Sequence, residues 1–104
     1  MKIKAIIKRA DETVGHMTNI SNTLENLQRT VGGYIETLTL KHDPEDSKAI
    51  TIICNEEGLI NDMPYNCTLG GHQLFGDIII CGASDEDFAD IPISFKEWKE
   101  KWCN

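Results

Sequence analysis

The chain has 104 residues, 40% of them apolar and 26% charged, which is too apolar for disorder and enough for one domain that buries roughly 60–68% of its unfolded surface. A second module beside a catalytic domain has no room at this length. The formal net charge is −7, with +4 in residues 1–9 and −12 in residues 10–95, and so acidic a middle excludes ordinary DNA or RNA binding, which needs clustered Lys and Arg.

Lys2-Ile3-Lys4-Ala5-Ile6 alternates polar and apolar, the period of a half-buried strand with its lysines on the wet face. Thr13 to Ile20 can form a short second strand through Val14, Met17 and Ile20. Asn22 with Glu25 fits a capping box, and Leu24, Leu27, Gln28 and Val31 then share one side at helical spacing. Gly32-Gly33 ends this helix, since glycine takes a left-handed C-cap without a Cβ penalty. Tyr34 to Leu40 alternates again and reads as a strand, followed by a turn at 42–47 and a more buried strand over Ala49–Cys54.

Asn55-Glu56-Glu57-Gly58 reads as a tight turn with Gly58 at positive φ. Residues 59–75 read as an irregular surface loop, long for so small a domain and therefore a place for binding. Asp77 to Gly82 reads as a central strand. Ser94 and Glu97 form a second capping box, with Ile93 and Trp98 as its hydrophobic staple and Phe95, Trp98 and Trp102 on one face of a last helix. The expected fold is therefore α+β: a small, mainly antiparallel sheet with two helices packed on it, in a single domain over residues 1–104.

Cys54, Cys67, Cys81 and Cys103 contain no Cys-x-x-Cys pair and the three histidines are scattered, so no zinc signature is present. Lys8 and Arg9 interrupt the N-terminal apolar stretch, so it does not read as a signal peptide, and Ile78–Cys81 is far too short to span a membrane. These features predict a cytoplasmic protein with reduced thiols.

Adjacent glutamates at a strand end, such as Glu56 and Glu57, point apart and rarely converge on one ion, so neither a metal site nor an acid–base pair is expected. Gly70-Gly71-His72 is not a phosphate-binding loop, because no Lys-Ser or Lys-Thr follows. No catalytic residues and no cofactor are assigned, and the chain is expected not to be an enzyme.

Gln28, Glu36, Asn55 and Asn66 are the notable polar set. Amides there can read the edge of a nucleobase, or they can tie a long loop to the sheet. Arg29 can meet a phosphate or ride the exposed helix face. Trp98 and Trp102 can stack on a ligand, line a subunit interface or pack in the core.

Leu27-Gln28-x-x-Val31-Gly32-Gly33-Tyr34-Ile35-Glu36, Cys54-Asn55-Glu56-Glu57-Gly58-x-Ile60 and Pro64-x-Asn66, with Asp87-Phe88 following, resemble the family catalogued as domain of unknown function 3846 over about residues 22–90. Cys67 stands where that family often has a basic residue, and the two-tryptophan helix lies outside the pattern. The resemblance implies an accessory protein of a phage or mobile element, of the kind that acts against host defence.

Two readings follow. In the first, the chain sequesters a nucleotide-derived immune signal through Arg29, Tyr34, Glu36, Asn55, Glu56 and Asn66, with N-terminal lysines contributed across a homo-oligomer interface. In the second, the carboxylates at 43–46, 56–57, 62, 77 and 85–90 imitate nucleic acid and occupy a basic host defence enzyme.

Overall fold

The computed structural model describes residues 1–103. Among these residues the chain runs β1 (Lys2–Lys8), β2 (His16–Ser21), α1 (Leu24–Val31), β3 (Ile35–Leu40), β4 (Ile50–Asn55), β5 (Tyr65–Leu69), β6 (His72–Phe75), β7 (Ile78–Ser84), β8 (Asp87–Ala89) and α2 (Phe95–Glu97), continued by a π-helical turn (Trp98–Trp102). Five strands form an antiparallel path in the order β2-β1-β7-β4-β3, β8 adds to β7, and β5 and β6 make a separate hairpin.

The central strands β4 and β7 are buried on both faces, and strand alternation assigns their apolar side chains to one of two cores. Ile53, Ile79 and Cys81 join Ile3, Ala5, Leu27 and Val31 under α1. Ile50, Ile52, Ile78 and Ile80 join Leu69, Leu74 and Trp98 under the β5–β6 hairpin and the C-terminal helical segment. Burial on both faces explains why β4 and β7 are dominated by consecutive apolar residues, where a one-sided strand would alternate.

The α+β expectation holds, with a larger share of sheet and shorter helices. The second strand begins at His16. The N-cap of α1 is Thr23, whose side chain accepts from the Asn26 backbone N–H, one residue beyond the expected Asn22. Asn22 instead donates to Asp87 Oδ1 and the Phe88 carbonyl, fastening the start of α1 to β8. Gly32 closes the helix at φ 84° as expected, its N–H donating to the Gln28 carbonyl.

Residues 59–75 are not an irregular loop. They contain the β5–β6 hairpin, whose turn residues Gly70 and Gly71 both have positive φ (54° and 82°), as a two-residue type I′ turn requires. Gly58 is not at positive φ. It is small because a Cβ there would lie 3.0 Å from the Phe75 carbonyl oxygen, so it lets the 56–62 turn close onto β6.

Ser94 caps the final helical segment as read, accepting from the Glu97 N–H, and Ile93 and Trp98 are both buried. Lys2 and Lys4 are exposed, but Lys8, on the same face of β1, is only 4% exposed because the β5–β6 hairpin covers that end of the sheet.

Candidate functional site

A groove of about 260 Å³ opens on the hairpin side of the sheet, between the β3–β4 edge, the 56–59 turn and β6. Glu36, Asn55, Glu56, Leu59, Gln73 and Phe75 are among its walls. The register explains the gathering: Glu36 pairs with Cys54 and Ile35 with Asn55, so the end of β4 delivers Asn55 and Glu56 beside Glu36. The Tyr34 carbonyl accepts the Glu56 N–H at 2.9 Å, which holds the turn against the start of β3.

Glu36 and Glu56 are exposed, so their carboxylates meet solvent at the mouth. Cys54 lies on the floor, where burial and then the Glu36 charge push its thiol up to about 11. This thiol stays protonated near neutrality and is a poor nucleophile. Exposed Leu59 and half-buried Phe75 add apolar surface, and Gln73 and His72 add donors and acceptors.

Three of the six residues singled out from the sequence, Glu36, Asn55 and Glu56, therefore share one groove. Asn55 also holds structure: its Nδ2 donates to the Val31 carbonyl at the end of α1 and its Oδ1 accepts from the Glu57 N–H at 2.7 Å. Tyr34 is 69% exposed and does not line the groove. Arg29 sits on exposed α1 in an ion pair with Glu25 at 2.8 Å, and α1 packs on the other face of the sheet.

Asn66 is buried on β5, away from the groove, and ties three partners. Its Nδ2 donates to the carbonyls of Lys8 and Gly76 at 2.9 and 2.8 Å, and its Oδ1 accepts from Lys8 Nζ at 2.6 Å. The structural role weighed for these amides is thus present at both asparagines.

His72 and Gln73 were not singled out as ligand contacts. The signal for them was there, because Tyr65–Leu69, Gly70-Gly71 and His72–Phe75 follow a hairpin pattern around a glycine pair.

Among the described residues, no group of three His, Cys, Asp or Glu side chains is placed to hold a metal ion, and no helix is long and apolar enough to cross a membrane. All four cysteines are free thiols.

The chain belongs to the family of the domain of unknown function 3846, whose model matches residues 1–102. The match extends the likeness beyond residues 22–90 and takes in the helical segment with both tryptophans. No curated protein and no solved structure matches the chain.

Proposed function

We propose that this member of the family is a non-enzymatic protein of a phage or mobile element that binds a nucleotide-derived immune signal in the host cytoplasm and withholds it from its receptor. The observation that carries the reading is the meeting of Glu36, Asn55 and Glu56 with Gln73 in one groove beside the apolar surface of Leu59 and Phe75. A carboxylate accepts from an exocyclic amino group or from ribose hydroxyls, a carboxamide matches a base edge, and the ring at Phe75 offers a face for stacking.

The two glutamates also set an orientation. Their charge repels phosphate, so base and sugar enter the groove and the phosphates point outward. Positive charge for those phosphates comes from the exposed Lys2 and Lys4 of a neighbouring subunit in a homo-oligomer.

Native mass spectrometry with a panel of cyclic nucleotides and ADP-ribose derivatives tests this directly. The expected result is a discrete adduct that also reports the subunit number. Glu36→Ala, on an exposed edge position, is expected to weaken the adduct about 10–100-fold, the worth of one hydrogen bond to a charged group, with an unchanged circular dichroism spectrum. An apo spectrum across the whole panel overturns the reading.

A second reading has its own observation. Asp43 and Glu45 in the β3–β4 turn and Asp85, Glu86 and Asp87 around the β7–β8 turn are all exposed, forming two acidic projections that suit the basic channel of a defence enzyme. Binding of that kind weakens steeply between low and moderate salt, whereas the groove complex is less sensitive.

A further inference from the structure

On the other strand of the β5–β6 hairpin from the groove lies a second cavity of about 250 Å³, with Lys8, Asn66, Cys67, Trp98, Trp102 and Cys103 in its walls. Lys8 is the unusual member. It is 4% exposed, yet no carboxylate lies within 4.0 Å of its ammonium among the described residues. Its Nζ donates to one neutral acceptor, Asn66 Oδ1, at 2.6 Å, and an ammonium has three donors.

Glu12 also lines the cavity, but its two oxygens accept from the Arg9 N–H at 2.9 Å and face His16 Nδ1 at 3.2 Å. A buried cation without a counter-charge is costly to the fold. Here it borders an open cavity whose remaining polar walls are hydroxyls and thiols. The Lys8 charge is close enough to Cys67 and Cys103 to pull both thiols down against the burial that raises them, and all three residues line the same cavity.

The apolar part of the wall is aromatic. Trp98 and Trp102 lie near-parallel, 21° apart with centroids 6.5 Å from each other. Trp98 is fixed, because its Nε1–H donates to the Val14 carbonyl at 2.7 Å. The volume is below the roughly 300 Å³ at which pockets for drug-sized ligands begin, so it suits a ligand of a single ring.

We propose that this cavity binds a small planar organic anion, a carboxylate on one unsaturated ring, with Lys8 as its charge partner and the half-buried Trp102 indole, backed by the buried Trp98, as its apolar wall. The site is independent of the Glu36 groove and shares no wall residue with it.

The two tryptophans are the only ones in the chain, so their indole N–H signals in a ¹H–¹⁵N spectrum report on the cavity directly. Titration with benzoate is compared with benzamide, its neutral isostere. The expected result is that benzoate shifts the indole signals saturably and binds about tenfold or more tightly than benzamide.

Lys8→Met is expected to reduce benzoate to the benzamide level. Glu36→Ala is expected to leave the benzoate titration unchanged, which separates this site from the groove. Equal affinity for the two probes, or indole signals that move with neither, overturns the proposal. If Lys8→Met does not fold, the ratio of the two probes on the wild-type chain decides the matter alone.

Discussion

Asn66 holds three segments of the chain with one side chain. It satisfies two buried backbone carbonyls, at Lys8 and Gly76, and supplies an acceptor for the Lys8 ammonium. Removing it leaves the two carbonyls short of a donor in a buried environment and takes from the Lys8 ammonium its one protein acceptor. Asn66→Ala is therefore expected to lower stability by about 3 kcal/mol, read from the urea midpoint, because each orphaned buried group costs about 1–3 kcal/mol. Asn55→Ala breaks two contacts instead, at Val31 and Glu57, and is expected to cost about 2 kcal/mol by the same reasoning. Both values are large against the 5–15 kcal/mol of a typical domain. The sequence marks both asparagines as special, because amides beside turns and strand ends have local work to do. It does not say which carbonyls they meet, since those partners come from segments up to 58 residues away.

At the scale of elements, legibility followed how local the determining signal was. The glycine end of α1 and the Ser94 cap depend on neighbours within one turn, and both were readable. The capping residue moved from Asn22 to Thr23 because β8 recruits the Asn22 amide, a contact across the fold that no local pattern carries. The same holds for β8, three residues long and unannounced by any alternation. It depends on Gly82, where a Cβ would collide with the Asp90 carbonyl oxygen. The Ile91 N–H donates to the Lys4 carbonyl and the Lys4 N–H to Asp90 Oδ1 close by. Gly82→Ala is thus expected to force the 87–91 segment off β7 and expose the β1 amides. Hydrogen exchange should show faster exchange at Lys4 and Ile91, with protection of β3 and β4 unchanged.

At the scale of the molecule, a three-layer arrangement in so short a chain gives a Cα radius of gyration of 12.6 Å, close to the about 13 Å usual for 100 residues. The thiols register this layering. Cys54 belongs to the core under the hairpin and Cys81 to the core under α1, and burial pushes Cys81 from an ordinary 9.0 up to about 12. At pH 8 a disulfide reagent is expected to leave Cys54 and Cys81 unreacted in the native protein and to count four thiols in denaturant. The sign of the pH effect follows from the same shift. A thiol with a raised folded pKa contributes stability fully below 9.0, and that contribution is lost as pH rises toward about 12, so the urea midpoint should fall across that interval.

The position of β7 between β1 and β4 has a consequence for synthesis on the ribosome. The β1–β2 and β3–β4 pairs are antiparallel and close in sequence, so each can form as its residues emerge. No strand joins them until residues 78–84 appear, and before that the two pairs meet only through the face of α1. A nascent chain stalled before that strand holds two ribbons that share only the α1 contact, each with an open edge, and the sheet becomes continuous only once β7 has been made.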